Sequence, residues 1–240
     1  GFFDKDLKEN NSKKHVDLIE EAYDNEVRVL DTAEIYGKGA AEETIGKTSK
    51  KVRENLFIMS KFSPENSLPD QIIRSLNGTL KRIRRDYVDV YQPHWPQPNV
   101  NIEIILDTLS KLKTEGKIRF LGLSNFSLEH IKSLDLNLYE SLRFFQCEFN
   151  PIENKQAKEL NPVVEKQDGI LVGYSPFREG QIFQSSKFPT FKKFSQDLGY
   201  TPSQVLLAWC ITNRKTLVIP KVSSSKHLIE NVTCLNINLS

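Results

Sequence analysis

The chain has little sulfur and no dominant charge: three cysteines, one methionine, and 33 lysines and arginines against 31 aspartates and glutamates in 240 residues. Cys147, Cys210 and Cys234 are odd in number, far apart and without metal-knuckle spacing, which argues against a disulfide scaffold and for a reducing compartment. A cytoplasmic location is expected by default. No apolar run approaches membrane-spanning length and no secretory leader opens the chain, so no membrane association is expected. Gly1 in place of Met suggests a trimmed or processed start. The net charge of +2 is too small for a dedicated nucleic-acid face, and no nucleic-acid partner is expected. One local basic run, Lys81-Arg82-Ile83-Arg84-Arg85, reads as the solvated end of a helix, where cations favour the last turn.

What is present is ordinary for a soluble domain, with 38% hydrophobic and 27% charged residues. Short apolar runs, at Val27 to Leu30, Leu56 to Ser60, Val88 to Tyr91, Phe120 to Leu123, Phe144 to Cys147, Ile170 to Tyr174 and Leu217 to Ile219, read as buried strands. Segments of helical period lie between them, among them Val16 to Tyr23, Ile72 to Ile83, Ile104 to Leu112 and Val205 to Ile211. Alternation of this kind predicts parallel strands joined by right-handed crossovers, and the length fits one α/β domain over residues 1–240, a (β/α)8 TIM barrel. Seven strands are counted where such a barrel needs eight, so the first strand is expected to be missing from the chain. Ser67-Leu-Pro-Asp70 and Thr201-Pro-Ser-Gln204 read as helix starts, and Gly116 as a helix stop.

In a parallel barrel every strand's C-terminal end opens on one face, so sequence position becomes proximity. Asp31 and Tyr36 follow one strand, Lys61 ends the next, and His94 follows the third. An acid, a phenol, an ammonium and an imidazole are thereby expected around one mouth. A lysine beside a tyrosine favours phenolate, and an aspartate keeps the buried amine charged. On that reasoning the pKa of Tyr36 is expected to fall from about 10 by two or three units, worth about 3–4 kcal/mol, making Tyr36 a general acid, with His94 orienting a substrate oxygen or sharing in the proton transfer.

Taken singly, Asp31 reads equally as a helix cap, Tyr36 as a surface aromatic, Lys61 as a solvated strand end and His94 as a satisfied polar residue. Their joint placement favours a site. A metal-assisted lyase or hydrolase on a similar barrel is the rival from this reading, and against it no His and carboxylate cluster has metal-ligand spacing, so no metal is expected.

The order Asp31, Tyr36, Lys61, His94 resembles the catalytic tetrad of the aldo-keto reductases. The surroundings resemble that family too: DTAEIYGKGAAEETIG at Asp31 to Gly46, GKIRFLGLSNF at Gly116 to Phe126 and VIPK at Val218 to Lys221. The resemblance runs from about His15 to Asn231. It implies an NADPH-dependent oxidoreductase that reduces aldehydes or ketones by hydride transfer, with NADPH bound in extended form and a small-molecule carbonyl substrate. The alternative on the same fold is a nucleotide-holding regulatory subunit resembling the potassium-channel β subunits.

By that resemblance Ser124, Asn125 and Gln146 hold the nicotinamide carboxamide, Tyr174 stacks on the nicotinamide, and Ser175 and Phe177 approach the pyrophosphate. Lys221, Ser223, Ser224, His227, Glu230 and Asn231 meet the adenosine end. Trp95 and Phe62 are candidate apolar walls of the substrate pocket. His227 stands where the family commonly has arginine, and a neutral imidazole gives up the bidentate charged contact with a 2′-phosphate. Other departures are the absent opening strand and hairpin before Asp4 to Lys14, Arg178-Glu179 in place of small residues, a short segment from Gly180 to Phe188, and an end at Asn236 to Ser240 where many relatives continue. The native protein is therefore expected to be longer.

Overall fold

A computed structural model describes residues 12–213 and 215–239. The expectation of a missing first strand concerns the segment before Ser12 and lies outside the described residues. All seven expected strands form: β1 Val29–Asp31, β2 Phe57–Phe62, β3 Val88–Pro93, β4 Ile118–Ser124, β5 Leu142–Glu148, β6 Ile170–Tyr174 and β7 Thr216–Val218. The chain divides into two compact units, one up to Phe145 and one from Gln146.

In the first unit β1, β2, β3 and β4 pair in that order and in parallel, with Asp31 opposite Met59, Lys61 opposite Gln92, and Tyr91 opposite Leu121. The sheet is lined by Ile58, Met59, Val88, Val90 and Leu121, all without solvent exposure. Its helices are α1 Ser12–Asp24, α2 Ala40–Gly46, α3 Lys50–Asn55, α4 Pro69–Ile83, α5 Ile102–Thr114, α6 Leu128–Lys132 and α7 Leu136–Ser141. Helix α4 buries Ile72, Ser75, Leu76, Thr79 and Ile83, a single stripe at helical spacing, and starts with Pro69 while the Gln71 amide oxygen accepts the Leu68 N–H. Helix α5 stops where Gly116 turns left-handed at φ 76° and the Lys117 N–H reaches back to the Leu112 carbonyl.

The second unit holds α8 Lys155–Lys166, α9 Phe188–Asp197, α10 Pro202–Cys210 and α11 Ser225–Val232, with β6 and β7 paired in parallel through Leu171 and Thr216, Val172 and Leu217, and Gly173 and Val218. Thr201 caps α10 reciprocally with Gln204, as its sequence predicts. Gly173 is required by packing: a Cβ there would lie 2.9 Å from that of Phe149, whose ring stacks on Trp209 at 5.3 Å.

The basic run corrects the sequence reading. Arg84 caps α4 in the left-handed region, but its neighbours turn inward. Arg85 is buried, donating to the Leu56 carbonyl at 2.9 Å and to Asp89, and Arg82 meets the buried Glu42 at 2.6 Å. Arg82 lies in the last turn of α4 and Arg85 just beyond its left-handed cap, and each finds a carboxylate that a solvated helix end would not supply.

Gly46 is where α2 meets α4. A Cβ there would stand 2.1 Å from the Arg82 carbonyl oxygen, a backbone atom that cannot rotate away. Gly46→Ala is expected to cost about 2–3 kcal/mol, read as a lowered urea midpoint at unchanged slope.

Candidate active site

Three neighbouring strand ends supply the cluster. β1 ends at Asp31, Lys61 is the penultimate residue of β2, and His94 follows β3, its N–H bonded to the Phe62 carbonyl at 3.0 Å. The Lys61 ammonium donates to both Asp31 oxygens, at 2.7 and 2.6 Å, and to the Thr32 carbonyl at 3.0 Å. All three of its protons are thus placed. Burial drives the Lys61 pKa down, and Asp31, then Glu42, oppose that fall. The ion pair is nearly dry: the two side chains are 1% and 4% exposed.

Tyr36 and His94 lie against this pair. The Lys61 nitrogen is 5.3 Å from the Tyr36 ring centre, and the Tyr36 and His94 rings meet edge to face at 5.5 Å and 78°. Tyr36 is delivered by a tight turn after β1, with its N–H on the Ala33 carbonyl at 3.0 Å and with Gly37, Lys38 and Gly39 all left-handed at φ 57°, 54° and 94°. Glycine at two of the three positions removes the steric cost there, and Lys38 bears it at the third.

The electrostatics differ from the expectation of an acidified phenol. The Tyr36 pKa is raised, first by burial and then by the Asp31 charge. The reason lies in the ion pair: Asp31 grips the ammonium so closely that its field at the phenol is offset, and desolvation of the phenolate then dominates. Tyr36 is therefore a protonated donor throughout the neutral range. Burial and the Lys61 charge push the His94 imidazole down to about 4, against the pull of Asp31. His94 is neutral near pH 7, and its Nδ1 is buried without a protein partner.

Ser124 and Asn125 stand beside His94. Asn125 is left-handed at φ 66°, and its amide donates to the His94 carbonyl and to the Ser124 oxygen, both at 3.0 Å. Of the two apolar candidates, Trp95 is 49% exposed, whereas Phe62 is wholly buried with its ring 5.5 Å from Tyr91. Phe62 is thus a core residue, because β2 turns it into the packing beneath the strand end.

The remaining candidates lie in the second unit. Gln146 is buried in β5, and Tyr174 ends β6 half-buried, its carbonyl accepting the Phe149 N–H. Ser175 is left-handed at φ 49°, and its carbonyl is held by Asn150 at 3.2 Å. Phe177 packs on Phe183 at 5.8 Å within the turn Arg178–Gln184. Ser224 caps α11 on the His227 N–H; Lys221, Ser223 and His227 are exposed, and Asn231 is half-buried. Glu230 accepts from the Thr201 hydroxyl at 2.6 Å.

Sequence reasoning missed three supporting residues. Glu34 accepts from the Ser63 N–H at 2.6 Å and the Asn66 amide at 2.8 Å, tying the Tyr36 loop to the loop after β2. Asn150 fixes the Ser175 carbonyl, and Glu42 is fully buried. Glu34 and Glu42 sit inside the quoted motif, and their inward turn was the missing signal. Among the described residues no group of three or more His, Cys, Asp or Glu is placed to hold a metal ion.

A parallel α/β sheet with this cluster at its strand ends defines a class of barrel-mouth site. The family model of the aldo/keto reductase family matches residues 1–240, so the chain belongs to that family, whose fold class is the (β/α)8 barrel. Among curated proteins it is similar to the glyoxal reductase of Bacillus subtilis, 30% identical over 98% of this chain and 82% of that protein. It is also similar to a methylglyoxal reductase of Escherichia coli O157:H7, 31% identical over 88% and 78% of the two chains. Among solved structures it resembles a thermostable aldo-keto reductase in complex with the inhibitor epalrestat, with TM-score 0.90 and 33% identity over 97% and 85% of the chains. An aldo/keto reductase from Klebsiella pneumoniae in complex with NADP and acetate matches at TM-score 0.91 and 27% identity over 98% and 84%.

An imidazole held near 4 has a consequence for stability. The unfolded imidazole titrates near 6.5, so between about pH 6.5 and 4 the unfolded chain binds a proton that the native site refuses, and stability falls as pH falls. The urea midpoint of the wild type is expected to drop more between pH 7 and 4.5 than that of His94→Gln, which carries no titrating ring.

Proposed function

We propose that this chain reduces aldehydes or ketones to alcohols with NADPH, Tyr36 giving the proton and His94 holding the substrate oxygen. The observation that carries the reading is the dry Lys61–Asp31 pair packed against a protonated phenol and a neutral imidazole. When bound, the nicotinamide cofactor supplies hydride to the carbonyl carbon. As negative charge grows on the oxygen, the Tyr36 hydroxyl transfers its proton there, and the Lys61 charge steadies the phenolate left behind. His94 is neutral and can donate a hydrogen bond without competing as an acid.

The donor set suits the cofactor. Ser124, Asn125 and Gln146 are assigned to the nicotinamide carboxamide, because a hydroxyl and side-chain amides are the kinds of donor and acceptor that group requires. Tyr174 offers a flat ring for stacking, with Ser175 and Phe177 for the pyrophosphate. Lys221, Ser223, Ser224, His227, Glu230 and Asn231 are assigned to the adenosine end. Trp95 is assigned to the substrate wall. Small aldehydes of the glyoxal and methylglyoxal type are the first substrates to try, since the two relatives named above are reductases of those compounds. The cytoplasm is the proposed setting, supported by three cysteines that stand free and buried. No helix of the described residues is long and apolar enough to cross a membrane.

The test is loss of NADPH absorbance with a panel of aldehydes and ketones, with Tyr36→Phe as control. Wild-type turnover that falls by about 10²–10⁴ in kcat in Tyr36→Phe is expected. Tight NADPH binding without turnover would instead favour the nucleotide-holding regulatory subunit, and full activity in Tyr36→Phe would remove the donor role.

His227 sets a second expectation. Lacking the guanidinium fork, the chain should prefer NADPH over NADH less than His227→Arg does, by about tenfold in the ratio of dissociation constants. Equal ratios for the two proteins would show that the side chain does not face the 2′-phosphate.

A further inference from the structure

We propose that Glu42 and Arg82 form a positioning clamp for Tyr36, a buried ion pair that fixes the phenol against Lys61 and His94 for proton delivery. The proposal rests on the reduction reaction inferred above. Its geometry involves three elements. Glu42 lies in α2, which begins directly after the left-handed turn that carries Tyr36. One carboxylate oxygen accepts from the Arg82 Nε at 2.6 Å, and the other from the Ser60 hydroxyl at 2.6 Å. Ser60 immediately precedes Lys61 in β2, and Arg82 belongs to α4. The clamp therefore binds the element behind the phenol to the strand that bears the ammonium.

The glycines around it fit the same surface. A Cβ on Gly39 would lie 2.7 Å from the Arg82 Cδ and 2.9 Å from its Nε, and one on Gly46 would strike the Arg82 carbonyl. Arg82 thus packs under both ends of α2, with its Nη2 also reaching the Thr79 hydroxyl at 3.5 Å. Glu42 has no solvent exposure, so removing its cation would leave a buried carboxylate with the Ser60 hydroxyl as its remaining side-chain partner, which loosens α2 and the Tyr36 turn that leads into it. The Glu42 charge also helps sustain the Lys61 ammonium, after Asp31, which adds an electrostatic role to the mechanical one.

Arg82 is partly exposed, so variants there are the tolerable probe. In Arg82→Met the kcat for methylglyoxal reduction is expected to fall about tenfold or more with the NADPH dissociation constant unchanged, and Arg82→Lys is expected to recover part of the loss. Placed on Tyr36→Phe, Arg82→Met should cause no further fall, because the group it positions is gone. Amide exchange of residues 36–46 should quicken about tenfold in Arg82→Met while the other strands keep their protection. An equal fall with and without the Tyr36 hydroxyl would mark a general structural effect and overturn the clamp, as would an unchanged kcat. Should the wild type turn over no carbonyl, the reduction reading fails by itself, and unchanged exchange of residues 36–46 would then overturn the clamp separately.

Discussion

The site depends on how one ammonium survives inside the protein. Moving an unpaired lysine charge from water to the interior costs several kcal/mol after all relaxation, and Lys61 is almost fully enclosed. Asp31 offsets that cost with two short bonds, and the Thr32 carbonyl takes the third proton. The parallel register makes this possible: Asp31 sits opposite Met59, two residues before Lys61, so the lysine reaches back across the sheet to the end of the neighbouring strand. Without the pair, β2 would end in an uncompensated charge, and neither Tyr36 nor His94 would have a fixed surface to pack against.

The same pairing bears on the protonation state of Tyr36. An ammonium without a counter-ion would favour the Tyr36 phenolate, a proton acceptor. With Asp31 bonded to it, the ammonium's pull on the phenol is opposed by the carboxylate, while burial is the largest influence and keeps the phenol protonated. Reduction needs a donor at that position, whereas oxidation of an alcohol needs an acceptor. A protonated Tyr36 matches the donor that the proposed reduction needs. His94, neutral for the converse reason that burial and a nearby cation both disfavour its charge, can serve as a hydrogen-bond donor without first losing a proton.

Seven strands and the four residues of the cluster were legible because each strand is a short apolar run, and because a parallel sheet turns strand ends into neighbours. The charge states were not legible. A sequence shows that Lys61 follows an apolar run, but it does not show that Asp31 would bond it twice and so cancel most of its reach. Within the run from Lys81 to Arg85, Lys81 and Arg84 are exposed as expected, but Arg82 and Arg85 were misread for a related reason: cations at a helix end read as solvated unless one knows which carboxylates the fold brings beneath them, and Glu42 and Asp89 are far from them in sequence or on another element. Phe62 was a candidate for the pocket wall that reads equally as core. Alternation along β2 turns successive side chains to opposite faces and sends it into the core beside Tyr91.

Three buried carboxylates divide the labour along the first sheet. Asp89, the second residue of β3, accepts the Ile58 N–H at 2.8 Å and meets Arg85 and Arg119, joining the beginnings of three strands. Asp31 does the corresponding work at the strand ends, and Glu42 stands between, on the helix behind the Tyr36 turn. Each is a net drain on folding free energy unless its cation is supplied from another segment, so each forms only when those segments are correctly docked. An apolar residue at any of the three positions would pack under a wider range of registers. The ion pairs penalise every register but one, and the site at the strand ends needs that one, because a shift of a single residue would carry Lys61 to the opposite face from Asp31.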